Sequence, residues 1–302
     1  MSFSRLVKEE LTVLNKDKKE QFYELGAFLT LSTTHILTEN ENYLWFKAGN
    51  VNIARRFVTL IKSLYETEVV LLTGKEHNFE IKNKMFVRVN NDIDNILENQ
   101  KNLTKQIFDN NEYVFSYLRG SFLAAGSVND PKKPEYHVEI FSQKAEDVIF
   151  IQKLMNHFDL NAKVTKRRTG FICYLKNSEK IADFLRMIGC IDTYFTYEDQ
   201  RIKRDFLNSI TRVMNCELAN ENKAAKASMD LLEAIEVIEK NQKVTNEKLQ
   251  RAIQIRKEFS EESLNALVDL YNKKYNEKIT KSGLNHRFLK LKELAKTFGE
   301  QR

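Results

Sequence analysis

One short run limits what this chain can fold into: Tyr117-Leu118-Arg119-Gly120-Ser121-Phe122-Leu123-Ala124-Ala125-Gly126-Ser127-Val128. Its apolar residues recur at helical spacing, while Gly120, Ser121, Ala124 and Ala125 strip side-chain bulk from the same helix. A helix shaved in this way lets a second backbone come close. The same residues also suit an ordinary packed helix with a glycine C-cap. A fainter copy lies upstream in Phe22-Tyr23-Glu24-Leu25-Gly26-Ala27-Phe28-Leu29-Thr30-Leu31-Ser32-Thr33. There Leu25 corresponds to Leu118, Phe28 to Ser121 and Ser32 to Ala125, and Gly26 and Ala27 add to the set of small residues.

The segments downstream of the two copies make the repeat credible. After the first, strand-like runs at Thr34–Thr38 and Tyr43–Ala48 precede an amphipathic helix from Ile53 to Tyr65, strands at Glu68–Thr73 and Met85–Asn90, and a helix near Asp92–Phe108. After the second, Tyr136–Phe141 alternates as a half-buried strand and Ala145–Phe158 is amphipathic. Ala162–Thr165 and Phe171–Leu175 form a hairpin around Arg167-Arg168-Thr169-Gly170. Ser178–Ile188 is a helix with Ser178 as N-cap and Gly189 as its stop. Each half spells αββαββα.

Beyond residue 190 the pattern is all-helical. Residues 191–218 form a charged helical connector, and Ala224–Ile238 is an amphipathic helix. A second short helix is marked by Leu249, Ala252, Ile253 and Arg256. A helix-turn-helix comes next, with Ser260 as N-cap, an inner stripe of Leu264, Leu267, Val268 and Tyr271, a turn at Asn276-Glu277, and Thr280 capping a helix whose inner face is Leu284, Phe288, Leu291 and Ala295.

The net charge of +6 is unevenly distributed. Residues 1–200 carry 27 basic and 27 acidic side chains, residues 201–270 carry 12 of each, and residues 271–302 carry 9 against 3. A cationic terminal helix suits a polyanion, although a solubilising tail has the same composition. No run of apolar residues approaches a membrane span, and the first ten residues lack the apolar segment of a secretory signal. Cys173, Cys190 and Cys216 are scattered and odd in number, as expected of reduced thiols in the cytoplasm. The five histidines have no metal-ligand spacing, and no cofactor or metal is expected.

The run at 117–128 resembles a LAGLIDADG helix with its acids removed. Leu118 and Gly120 open the motif, Ala125 takes the place of its last acid, and Gly126 closes it. Three stretches in order then resemble the WhiA family: 117–140, Thr211-Arg212-Val213-Met214-Asn215-Cys216-Glu217-Leu218-Ala219-Asn220, and Thr280-Lys281-Ser282-Gly283-Leu284-Asn285-His286-Arg287. The first repeat diverges most, and Thr33 stands where the motif has glycine.

The resemblance implies an α+β fold in which two LAGLIDADG-like repeats form a saddle, joined to an all-α helix-turn-helix domain. It places the divergent first repeat at 1–109, the second at 110–190, a helical linker at 191–220 and the helix-turn-helix domain at 221–302. It also implies a cytoplasmic, nucleoid-associated, non-catalytic regulator of cell division and chromosome segregation that binds double-stranded DNA. Ser32 and Ala125 occupy the former acid positions. Alanine offers no oxygen to a divalent metal.

The chemistry of the last helix points the same way. Asn285 and Arg287 suit base edges. Lys281, Ser282 and Lys290 suit phosphates, with His286 beside them. For Arg287 a salt bridge to the preceding helix is the competing reading. Arg167 and Arg168 suit phosphates on the saddle or a solvated strand end, and Arg55, Arg56 and Arg119 are weaker candidates of the same kind. Two other functions stay open. In one, the saddle binds a transcription or division protein, or a small ligand, with DNA as a tether. In the other, the chain is a working endonuclease relying on Asp130. Because the repeats can pair within one chain, a monomer is expected.

Overall fold

The computed structural model describes residues 2–73, 85–241 and 244–299. The chain divides into two compact units, Met1–Asp205 and Phe206–Arg302.

The first unit opens with helix α1 (Phe3–Thr12), which buries Phe3, Val7 and Leu11. The first repeat is α2 (Lys18–Leu31), β1 (Thr33–Leu37), β2 (Asn42–Ala48), α3 (Val51–Leu64), β3 (Val69–Thr73), β4 (Met85–Val89) and α4 (Ile93–Lys101). A short helix α5 (Leu103–Gln106) and a 3-10 turn at Ile107–Asp109 lead into the second repeat. That repeat is α6 (Asn111–Ala125), β5 (Gly126–Val128), β6 (Val138–Ser142), α7 (Ala145–Asn156), β7 (Lys163–Arg167), β8 (Gly170–Leu175) and α8 (Ser178–Met187). The sheets run β1-β2-β4-β3 and β5-β6-β8-β7, and every neighbouring pair in both is antiparallel. The repeat is therefore real at the level of topology, and the expected α+β class holds.

Local chemistry explains the boundaries. The Asp17 carboxylate accepts from Glu20 N while Glu20 reaches back to Asp17 N, a capping box that starts α2. Asn177, not Ser178, caps α8 by accepting from the amides of Glu179 and Lys180. Gly189, at φ +99, ends that helix as expected, with Cys190 N donating to Leu185 O and Gly189 N to Arg186 O. Gly126 is not a left-handed cap. Its φ is −86, and α6 passes directly into β5, a strand that its three-residue length hides in the sequence. The helix expected over 92–108 breaks at Asn102. The break lets the buried Leu103 pack over Gly26, where an added Cβ would lie 2.2 Å from Leu103 Cδ1.

The core is centred on the pairing of α2 with α6. A Cβ on Gly120 would lie 2.3 Å from the Glu24 carbonyl oxygen and 2.9 Å from Ala27 Cβ, so only glycine allows this approach. Gly26, expected in the same interface, instead faces Gln100 and Leu103. Between the helices lies a buried ion cluster. Glu24, fully buried, accepts from Arg56 Nε at 2.7 Å, Arg56 Nη2 at 2.8 Å and Arg119 Nε at 3.1 Å. The spare guanidinium hydrogens go to the carbonyls of Leu14 and Ile188 and to Ser116 Oγ. Arg56 and Arg119 thus join the two repeats and cannot serve as surface phosphate contacts.

Helix α9 (Ile191–Asn241) is one helix of 51 residues, so the connector and the helix expected from Ala224 are continuous. Its first amides are capped from the other end of the sequence. Glu10 of α1 accepts from Asp192 N at 2.8 Å, Thr193 N at 3.0 Å and Thr193 Oγ1 at 2.6 Å. In the second unit, Leu231, Ile235 and Ile238 of α9 pack with α10 (Glu247–Glu258), α11 (Leu264–Tyr275) and α12 (Lys281–Gly299).

Two outcomes test this packing. Glu24→Gln leaves two buried guanidiniums facing each other without an anion and is expected to cost about 3–5 kcal/mol in urea unfolding; a loss under about 1 kcal/mol would contradict the role given to the cluster. Burial also lowers the pKa of Lys8, whose ammonium lies 5.6 Å from the centroid of the Phe122 ring, to about 8. The folded chain holds this proton less tightly than the unfolded chain, so the ammonium costs stability below pH 8. That cost fades as pH rises toward the ordinary lysine value of 10.5. Lys8→Met is expected to be more stable than the parent near pH 7 by about 1–3 kcal/mol, with the margin shrinking by about pH 10.

Candidate nucleic-acid interface

The helix-turn-helix is built from polar locks on an apolar base. Ser263, three residues beyond the expected Ser260, caps α11 by accepting from Ala266 N. Ser260 instead offers its carbonyl to Ser228 Oγ and Arg256 Nη1. Asn276 ends α11 in the left-handed region at φ 50. Asn272 clamps the other side of the turn, accepting from Ile279 N at 2.7 Å and donating to Ile279 O at 3.1 Å. Thr280 Oγ1 then accepts from Gly283 N, starting α12 as expected.

Leu284, Phe288, Leu291 and Ala295 bury one face of α12, as the periodicity predicts. The opposite face exposes Lys281, Ser282, Asn285, His286, Leu289, Lys290 and Lys296. Amide, imidazole and cationic groups therefore recur on one solvent-facing strip of a single helix. Leu289, half-exposed one turn beyond Asn285, escapes the sequence reading because a lone leucine on a polar face reads as an irregular core position.

Arg287 sits apart from this strip. Its guanidinium donates to Tyr271 Oη, lies 5.1 Å from that ring's centroid and comes within 3.8 Å of Glu277, leaving its side chain 17% exposed. Glu277 also takes Arg251 Nη1 at 2.6 Å. These contacts tie α12 to α11 and to the turn. Burial raises the pKa of Tyr271, against the opposing pull of the Arg287 charge.

In the first unit, the helix ends that carry the expected acid positions lie side by side. Ser32 Oγ donates to the carbonyl of Ala124, the residue before Ala125, at 3.3 Å. Asp130 lies in the following loop, where its carboxylate accepts from Lys132 N at 2.9 Å. Arg167 and Arg168 are exposed at the two-residue turn joining β7 and β8, with Arg167 Nη2 at 3.3 Å from Glu139 Oε2. Glu139 also meets His137 Nε2 at 2.9 Å. The face of the first sheet opposite the core carries a half-buried aromatic cluster. Trp45 stacks on Phe86 with centroids 5.1 Å apart, and the Arg88 guanidinium lies 3.9 Å from the centre of the Tyr43 ring.

If Arg287 braces the turn, Arg287→Ala should lower the thermal stability of the protein by about 1–3 kcal/mol, whereas Asn285→Ala and Lys290→Ala should stay within about 0.5 kcal/mol of the parent. Equal effects from all three would remove the distinction.

Three family models match successive stretches of the chain. They are the WhiA N-terminal LAGLIDADG-like domain over residues 18–101, the WhiA LAGLIDADG-like domain over 114–207 and the WhiA C-terminal HTH domain over 210–295. Among curated proteins, Probable cell division protein WhiA of Enterococcus faecalis is 38% identical, covering 100% of this chain and 99% of its own. The protein of the same name from Lactobacillus helveticus is 39% identical over 99% of each chain. Among solved structures, full-length DUF199/WhiA from Thermatoga maritima is similar with a TM-score of 0.61, at 24% identity over 99% of both chains. The N-terminal LAGLIDADG domain of DUF199/WhiA is similar with a TM-score of 0.51, at 25% identity over 62% of this chain and 92% of its own.

Proposed function

The chain belongs to the WhiA family, and from that premise we propose that it is a sequence-specific, double-stranded-DNA-binding regulator of cell division and chromosome segregation whose nuclease scaffold no longer cuts. The observation that carries this reading is the exposed strip of α12, an amide and cations on a helix braced by a helix-turn-helix. Asn285 reads adenine with its amide, and Leu289 contacts a thymine methyl. Lys281, Ser282 and Lys290 hold phosphates on either side, with His286 among them. Arg287, the other base-reading candidate from sequence, is better assigned to positioning α12, since its donors are already engaged. Arg167 and Arg168 add phosphate contacts from the second sheet.

The absence of cutting follows from Ser32 and Ala125, which leave a hydroxyl and a methyl where two carboxylates would hold a metal. The protein works in the cytoplasm at the nucleoid. The LAGLIDADG-like unit needs no second copy, because its two repeats satisfy each other in one chain. A second reading makes the saddle a docking face for a transcription or division protein. The half-buried aromatics Tyr43, Trp45 and Phe86, clustered on the first sheet, favour it.

Selection from a random double-stranded DNA pool, with Mg²⁺ at near-physiological salt, should enrich one motif in intact fragments. Asn285→Ala should cost about 1–3 kcal/mol on that motif and little on random DNA. Arg167→Ala with Arg168→Ala should flatten the salt dependence by about 0.9 per lost contact. Recovery without a motif would reject specific recognition, cut ends would reject the non-catalytic assignment, and an unchanged slope would leave the saddle to a protein partner.

A further inference from the structure

Most long helices bury their apolar stripe, but the middle of α9 does not. Ile202, Phe206, Leu207, Ile210, Val213, Met214 and Leu218 are each between 41% and 65% exposed. At 3.6 residues per turn they share one face roughly 160° wide. Asn208, Thr211, Arg212, Asn215 and Ala219 occupy the opposite side. A stripe of this size on a water-exposed helix marks a contact surface.

The order of residues along the stripe indicates its partner. Its apolar positions are close to a palindrome centred on Ile210: Leu207 and Val213 lie three residues either side, Phe206 and Met214 four, Ile202 and Leu218 eight, while Lys203 and Glu217, seven either side, carry opposite charges. A surface that reads alike in both directions is complementary to itself under a two-fold axis. We propose that the exposed stripe of α9 pairs with the same stripe of a second copy, antiparallel, with Ile210 on the axis.

In that register Phe206 packs beside Val213 of the other copy and Leu207 beside its Met214. Lys203 faces Glu217 of the other copy at both ends of the seam, each side chain about 20° from the line between the helices. A parallel pair would set Lys203 against Lys203 and Glu217 against Glu217, so the charges select the antiparallel arrangement. Asp199 and Glu221 would meet one turn further out with like charge, which limits the contact to about five turns. Seven half-exposed apolar residues per copy bury roughly 1,000 Å² in total, at the low end for a specific interface, so association falls in the micromolar range. The monomer expected from sequence rests on pairing of the repeats, which this stripe does not touch.

The test is sedimentation of the full chain from about 5 to about 200 µM, a range that brackets a micromolar dimer. The parent should pass from monomer to dimer. Ile210→Asp, at an exposed site where folding is not at stake, should weaken the dimer by roughly thirtyfold or more. Lys203→Glu alone and Glu217→Lys alone should each weaken it roughly tenfold, and the two together should return it to within about threefold of the parent. A monomer at every concentration overturns the proposal. So does a dimer indifferent to Ile210→Asp, and so does a double charge exchange that fails to recover.

Discussion

The first unit depends on how closely α2 and α6 approach. Gly120 sets that distance, since any Cβ there would collide with the Glu24 backbone. At the same place, Glu24 draws Arg56 and Arg119 into a dry interface from two different repeats. Two cations around one anion would be unfavourable alone, because ions leaving water lose more than a single pairing returns. The carbonyls of Leu14 and Ile188 and the Ser116 hydroxyl make it workable by occupying most of the remaining donors. The result ties together α2, α3, α6 and the chain leading into α9. Apolar packing could hold the repeats together, but it would not fix one rotation of α2 against α6 as this fork of hydrogen bonds does.

The order of elements is legible because alternation and helical period differ and each repeat shows both. The sheet topology agrees with that order. The illegible parts depend on long-range contacts. Arg119, inside the motif, looks like a surface cation because most arginines are, and only its partner 95 positions away removes it from solvent. Gly26 looks like an interface residue, but a break in the helix after the first sheet brings Leu103 over it. The caps at Asn177 and Ser263 lie within a few residues of those the sequence suggests, since several capping residues stand near each helix start. On α12 the buried and exposed faces are readable from spacing, and so is the possibility that Arg287 leans on the preceding helix. The hydroxyl of Tyr271 that receives it cannot be inferred from spacing alone.

Positions 32 and 125, where the LAGLIDADG resemblance leads one to expect acids, carry neutral side chains at adjoining helix ends. Neighbouring helix ends bearing carboxylates repel each other unless a cation lies between them. Here a serine hydroxyl donates across the gap to a backbone carbonyl, and the other position is an alanine. A neutral contact of this kind carries no such repulsion.

The glutamate that caps α9 belongs to the tenth residue of the chain, and its hydrogen-bond donors come 182 and 183 residues later. During synthesis α1 therefore leaves the ribosome long before the amides it serves exist. Until they arrive, Glu10 stays hydrated and the apolar side of α1 can bury only part of its surface. Completion of the first unit becomes a late event, timed by the appearance of the helix that leads toward the C-terminal helix-turn-helix domain. A nascent chain halted near residue 190 would carry both repeats with their last latch still open.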